Sequence, residues 1–298
     1  MVHNIRRLEM QKGLTLFVFG DRQQGGSGYR KEAWEEFRRE FKSTPNAWAL
    51  GLGDYGDWLR PSLRAPLLSS IAKDDSARAA LDDEIRRGHD KIIDDMEFLK
   101  GRIIGLHEGH HNWKFASGEN TDQRLSSALK APYLGWVASI RLALTYGKAG
   151  PKSSSDKAFI YTMISTHGNA NGRKVHAALG YLEGNYASGF IADQYCMGHG
   201  CKNANEVPFK RNLVRRCGPA GMDIQIPRLL VVGGFSEGYT DGWQSDYVER
   251  AGFTPQPMGY GLIRFKTCDR KAEALAHGLT SSQRKSLQVE QLNRVLDL

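Results

Sequence analysis

Ala47-Trp48-Ala49-Leu50-Gly51-Leu52-Gly53-Asp54-Tyr55-Gly56-Asp57 is a short apolar run that stops on a glycine and two aspartates. An apolar run of this length bounded by a turn signal reads as a buried strand that delivers a polar loop. The same design recurs on either side. Residues 14–19 precede Gly20-Asp21, residues 102–106 precede His107-Glu108, residues 158–164 precede Ser165-Thr166-His167, and residues 191–197 precede Gly198-His199. Residues 229–232 and 259–265 add two more strands, and the early strands alternate with helical patterns, which predicts an α/β fold.

Two helices are legible between those strands. Residues 29–41 place Ala33, Trp34, Phe37 and Phe41 on one face and charged residues on the other, so Trp34 and Phe37 are core residues. In residues 81–99, Ile85, His89, Ile92, Met96 and Leu99 recur at steps of three and four, which makes His89 a core-edge histidine. The polar stretch 148–157 reads as a surface loop or hairpin within a domain covering 1–270. Leu287, Leu292, Val295 and Leu296 among polar residues predict a helical tail over 271–298.

The chain has 298 residues and 40% hydrophobic content, enough for a buried core without staples. Forty-one Lys and Arg against 33 Asp and Glu give a net charge of +8, which favours approach to polyanions such as nucleic acid or phosphorylated molecules. The basic residues are scattered, so a solvated basic surface accounts for them as well as a groove does. Four cysteines are too few for a disulfide scaffold and suggest a reducing, cytoplasmic setting. Arg6, Arg7 and Glu9 interrupt any leader-like segment, and Ser139 and Arg141 interrupt the apolar stretch 134–144, so no membrane span is expected.

The strand ends carry metal-capable side chains in order: Asp21 and Gln23, Asp54 and Asp57, His110 and His111, His167, then His199 and Cys201. An aspartate after a glycine usually caps a helix or bonds its own turn, and either one alone would be read so. Five such loops at successive strand ends instead predict convergence on one cleft, where carboxylates and imidazoles can hold a pair of ions. Cys196, His199 and Cys201, with Cys217 beyond, also fit an accessory zinc knuckle.

Asp21-Arg22-Gln23, Gly53-Asp54-Tyr55-Gly56-Asp57, Gly109-His110-His111-Asn112, His167-Gly168 and Gly198-His199-Gly200-Cys201 together resemble the motif series of the calcineurin-like metallophosphoesterases. The family pattern is D-x-H, G-D-x-x-D, G-N-H-D/E, H-G and G-H-x-H. The resemblance spans residues 14–267, and residues 233–239 and 247–257 resemble a late segment of phage-encoded and bacterial members. It implies a four-layer α/β/β/α sandwich of two facing mixed sheets flanked by helices.

The resemblance also implies two divalent metal ions (Mn, Zn, Fe or Ni) that activate water for phosphoester hydrolysis. Asp54 would bridge them. One ion would take Asp21, Gln23 and Cys201, and the other His110, His167 and His199. His111 would contact the phosphate or protonate the leaving oxygen. Asp57 reads as a partner that fixes a neighbouring histidine, and Arg22 and Arg60 as phosphate contacts.

Three positions depart from the pattern. Gln23 and Cys201 replace imidazoles, which weakens the first ion site or turns it toward zinc. Asn112 replaces the acidic residue that would orient His111, leaving Glu108 or His107 to compensate. The substrate is a phosphoester, with nucleic acid or nucleotide among the partners, in the cytoplasm of a cell or phage host. The alternative is a degenerate member that binds nucleic acid or a protein partner without turnover.

Overall fold

The computed structural model describes residues 2–10, 13–59, 61–71, 74–145, 158–169, 175–199, 204–206, 212–215, 222–225, 227–238, 257–269 and 285–296. In chain order the first half contains β1 (Val2–Glu9), β2 (Leu14–Phe19), α1 (Lys31–Ser43), β3 (Ala47–Gly51), α2 (Pro61–Ser70), α3 (Asp75–Met96), β4 (Ile103–Leu106) and α4 (Thr121–Ala128). The second half contains β5 (Val137–Thr145), β6 (Ala158–Thr166), α5 (Val175–Leu182), β7 (Gln194–Met197), β8 (Ala204–Glu206), β9 (Asn212–Arg215), β10 (Met222–Gln225), β11 (Arg228–Val231), β12 (Met258–Asp269) and β13 (Lys285–Leu296).

Two mixed sheets form, in the orders β13-β12-β2-β3-β4 and β1-β5-β6-β7-β11-β8, with β9 and β10 as a separate pair. The alternation of side chains along a strand sorts residues between layers. From β2, Leu14, Leu16 and Val18 enter a core between the sheets, where they meet Ile140, Leu142, Met163, Leu230 and Phe265. Phe17 and Phe19 face the opposite way, onto Trp34, Phe37 and Phe41 of α1, Met96 of α3 and Leu125 of α4. The outer face of the second sheet places Ile164, Tyr195 and Val231 against Ala178, Leu179 and Leu182 of α5. The result is the expected four layers, helix on sheet on sheet on helix. Each of the large buried side chains stabilises it by roughly 1.5–3 kcal/mol. His89 is buried, as its place on the apolar face of α3 predicts.

The expected C-terminal helix is a strand. Lys285–Leu296 pairs antiparallel with β12 from Asp269↔Lys285 to Met258↔Leu296. Its apolar residues have the period of two that a strand between two layers needs. Leu287 and Val289 pack toward the intersheet core, while Leu292 and Leu296 pack toward the helix-side core. Read without Val289, the steps of three and four from Leu292 to Val295 and Leu296 imitate a helix. The 148–157 loop lies outside the described residues. Among the described residues, no helix is long and apolar enough to cross a membrane.

Candidate metal centre

Parallel pairing decides which side chains meet. β2, β3 and β4 run parallel in one sheet, so the loops that follow them emerge on the same edge. β6 and β7 run parallel in the other sheet and deliver His167 and His199. The two edges are joined at the site: His167 Nδ1 lies 2.7 Å from the Leu52 carbonyl, and Asp21 accepts from Phe235 N (3.1 Å) and donates its own N–H to Gly53 O (3.1 Å).

The loops are tightly fitted. A Cβ built on Gly53, which has φ +99°, would meet the Gly109 backbone and His167 Nδ1 at 2.8 Å, and one on Gly109 would overlap Asp54 Oδ1 and the Asp54 backbone. Asp21, Gln23, Asp54 and His199 all have φ between 47° and 55°. Left-handed backbone in non-glycine residues costs of order 1–3 kcal/mol each and persists only where surrounding contacts enforce it.

Asp54, His110, His167 and His199 form one cluster, with a ligand atom of each within 4.8 Å of the others. His110 Nδ1 is 2.9 Å from His167 Nε2 and 2.8 Å from Asp54 Oδ2, and His199 Nδ1 is 3.4 Å from His167 Nε2. The Leu52 carbonyl takes the Nδ1 proton of His167, which leaves Nε2 as the nitrogen facing the cluster. Burial alone would depress His167, yet Asp54 and Asp21 outweigh it and raise its pKa to about 9. For Asp54 burial acts upward, but His167 and His110 hold it well below the usual carboxylate range. Burial, with His167 and His110 nearby, pushes His199 down to about 3.

Asp21 is fully buried, and burial raises its pKa to about 6 against the opposing pull of His167. Its Oδ2 has no hydrogen-bond donor, and that of Asp54 faces only the ring nitrogens of His110 (2.8 Å) and His167 (3.3 Å). Convergent ring nitrogens, two buried carboxylates and an Asp21 oxygen without a donor call for positive charge, and a divalent cation with N and O ligands fits this donor set. Asp54, His110, His167 and His199 would hold one ion, with Asp21 beside them.

The remaining predicted residues fall in three groups. His111 is buried, and its Nδ1 donates to Asp57 Oδ1 at 2.7 Å while its backbone N–H donates to Asp54 Oδ1 at 2.9 Å. Burial would lower the His111 pKa; the Asp57 bond and the charges of Asp54, Asp57 and Asp21 raise it above the ordinary value. Gln23 is half-buried beside the cluster, with its backbone N–H bonded to Asp54 O. Cys201, Cys217 and Arg60 lie outside the described residues.

Three residues have different surroundings from those expected. The Arg22 guanidinium pairs with Asp95, bonds Tyr29 Oη at 3.2 Å and lies 4.3 Å over the Trp34 ring, which commits it to the helix layer and not to a phosphate. The Asn112 side chain is bonded within its own turn. Its Nδ2 donates to Glu108 Oε1 (3.0 Å) and Gly109 O (2.7 Å), so it shapes the turn. Cys196 sits in the intersheet core with its thiol pushed far up by burial, which removes it from any knuckle with His199.

Sequence reading missed Asp122 and Arg64. Asp122 Oδ2 accepts from Gly109 N at 2.9 Å, and burial pushes its carboxyl up to about 8. Asn120-Thr121-Asp122-Gln123 is a capping box, and that signal marks the start of α4 without revealing what Asp122 braces. Arg64, on α2, donates to His110 O at 2.9 Å. The polar spacing of α2 gives no hint of it.

Two facing mixed sheets, helices on both outer faces and a carboxylate–imidazole cluster at the ends of parallel strands are now in view. The architecture is the four-layer α/β/β/α sandwich that the motif resemblance implies. Neither a protein-family model nor a curated protein matches the sequence. Among solved structures the chain is similar to Vps29 from Chaetomium thermophilum, at 10% identity over 96% of this chain and 98% of that one, with a TM-score of 0.33. It is similar to Vps29 complexed with zinc from Entamoeba histolytica (9%, 94% and 99%, TM-score 0.37). It is also similar to the calcineurin-like phosphoesterase YfkN from Bacillus subtilis (12%, 93% and 90%, TM-score 0.31). At these values the likenesses accompany the reading of the site and do not carry it.

Proposed function

We propose that the chain is a metal-dependent phosphoester hydrolase. The observation that carries this reading is the convergence of Asp54, His110, His167 and His199 in one cluster, with His111 held next to it by Asp57. Bound divalent ions would supply Lewis acidity, neutralising charge on phosphoryl oxygens and lowering the pKa of water.

The chain's own groups do the rest. Asp54 and Asp21 give the site its negative charge, and Leu52 O fixes the His167 tautomer that leaves Nε2 as a ligand. Asp57 favours the imidazolium form of His111, whose other nitrogen, Nε2, can hand a proton to the leaving oxygen as the phosphorus–oxygen bond breaks and water adds to phosphorus. The positive net charge favours approach of an anionic ester.

The test is hydrolysis of an aryl phosphodiester and an aryl phosphomonoester, and of single- and double-stranded nucleic acid, with Mn²⁺, Zn²⁺ or Ni²⁺ supplied. Activity should appear with at least one metal and vanish, together with bound metal, in Asp54→Asn. Metal bound at the cluster with no hydrolysis of any of these substrates would overturn the proposal and favour a binding module.

A further inference from the structure

Next to the cluster stands an aromatic side chain that core packing does not account for. Trp136, just before β5, keeps 38% of its surface exposed, and its ring centroid is 5.3 Å from that of His167 at an interplanar angle of 75°. The His167 ring is in turn 5.2 Å from both His110 and His199, the two half-buried imidazoles of the cluster. The indole thus packs steeply against the fully buried His167, whose ring neighbours the two half-buried imidazoles of the cluster.

Its mounting is rigid. The Trp136 carbonyl accepts from Thr166 Oγ1 (3.0 Å) and His167 N (3.4 Å). The preceding Gly135, at φ +60°, accepts from Glu108 N (3.0 Å) and from His107 Nδ1 (2.8 Å), and the other His107 nitrogen shares a hydrogen bond with Ser165 Oγ (2.7 Å). The residue is therefore fixed to both sheets through the same loops that carry the cluster. A tryptophan confined to the core would remove most of its large apolar surface from water; this one leaves more than a third of it wet while its backbone is held in place. Shielding one face of an imidazole needs only an aliphatic side chain. A fixed, partly exposed π-face beside an anion-attracting centre is instead what a flat ring attached to a phosphate would stack on.

We propose that Trp136 is a stacking platform for the aromatic portion of the ester, so that the site takes nucleotides and their esters in preference to alkyl phosphates. This rests on the hydrolase reading and narrows it to a substrate class.

The experiment measures binding apart from turnover. Metal-loaded protein is titrated with an adenosine 5′-phosphonate and with an alkyl phosphonate, both lacking the scissile bond, by calorimetry and by tryptophan emission, in the parent and in Trp136→Phe and Trp136→Ala. Trp136→Ala should weaken the adenosine ligand about tenfold or more, the effect of removing one base-stacking ring, and leave the alkyl ligand unchanged. Trp136→Phe should retain most of the preference while losing the emission change. KM for nitrophenyl phosphate should rise with that of the adenosine ester if any flat ring suffices, and stay unchanged if the platform selects the base. Equal weakening of both phosphonates, or a fall in bound metal, would mean that Trp136 only supports His167, and would overturn the platform while leaving the hydrolase reading intact. Parent protein that binds the adenosine and alkyl ligands equally would also overturn it. A parent that holds metal, binds neither phosphonate and cleaves no ester overturns both readings.

Discussion

Asp57 Oδ1 accepts a 2.7 Å hydrogen bond from His111 Nδ1, and this contact supplies the acidic partner that Asn112 lacks. The histidine beside the cluster is therefore oriented from the β3 loop and not from its own turn. Replacing Asp57 with Asn removes a charge that raises the His111 pKa against the effect of burial. With His111 acting as a proton donor, the alkaline limb of the pH–rate profile should move to lower pH in Asp57→Asn, with bound metal unchanged. An unmoved limb would take the acid role away from His111.

Loss of the His111 ring should cost rate and spare metal. His111→Ala should retain the parent's metal content and lower turnover about a hundredfold or more, the usual contribution of a general acid. Elemental analysis beside steady-state rates checks it, and a parallel loss of metal would make His111 a ligand.

The described donors favour one ion site over the other, because His110, His167 and His199 cluster with Asp54 while Asp21 lies outside that cluster. The parent should hold near one Mn²⁺ per chain, and Gln23→His with Cys201→His should raise this toward two together with Mn²⁺-supported turnover. Two tightly held ions in the parent, or added metal without added rate, would show that these substitutions do not limit catalysis.

Gly109→Ala places a methyl group against Asp54 Oδ1 and the Asp54 backbone. It should destabilise the fold by roughly 1–3 kcal/mol, the usual cost of overpacking, and release metal. Gly180→Ala, in α5 with nothing near its built Cβ, should stabilise by about 0.5–1 kcal/mol. Thermal unfolding of the two variants decides the point, and a neutral Gly109→Ala would mean that the two loops can part.

Burial lowers His89 and His107 to about 4 in the folded chain, with Arg124 adding to the effect at His89 and His167 at His107. In the unfolded chain a histidine titrates near 6.5. Between pH about 6.5 and 4 the unfolded state therefore binds more protons, and stability falls as the pH drops through that window. Urea midpoints should decline across it, less steeply in His89→Gln and less steeply again when His107→Gln is added. Identical slopes in all three proteins would refute this source of acid sensitivity.

The strands that carry the site were readable because each is a short apolar run ended by a polar loop, and Asp54, His110, His167 and His199 could be placed at one edge from order alone. β1 and β5 were harder to see. β5 alternates buried and less buried residues from Val137 to Thr145, and β1 pairs with it at the edge of the sheet, so neither strand is uniformly apolar. β13 was misread because both of its faces are partly apolar. Arg22 was misread because an arginine beside a metal ligand suggests an anion, whereas its partner, Asp95, is 73 residues away on a helix whose facing is settled only by packing. Asp57 was expected to fix a histidine, but that it serves His111 in place of Glu108 or His107 was not legible, because spacing along the chain does not determine which side chain a folded loop brings to the ring.

Four residues of the site, Asp21, Gln23, Asp54 and His199, share a left-handed backbone. The constellation is consequently not portable as a set of side chains. A scaffold given the same aspartates and histidines on ordinary turns would aim them elsewhere, because the direction of each Cα–Cβ bond here depends on a conformation most residues avoid. To transplant the centre, an engineer would have to carry over the loop frame with it, Gly53 and Gly109 included, and the cross-sheet hydrogen bonds that hold that frame closed.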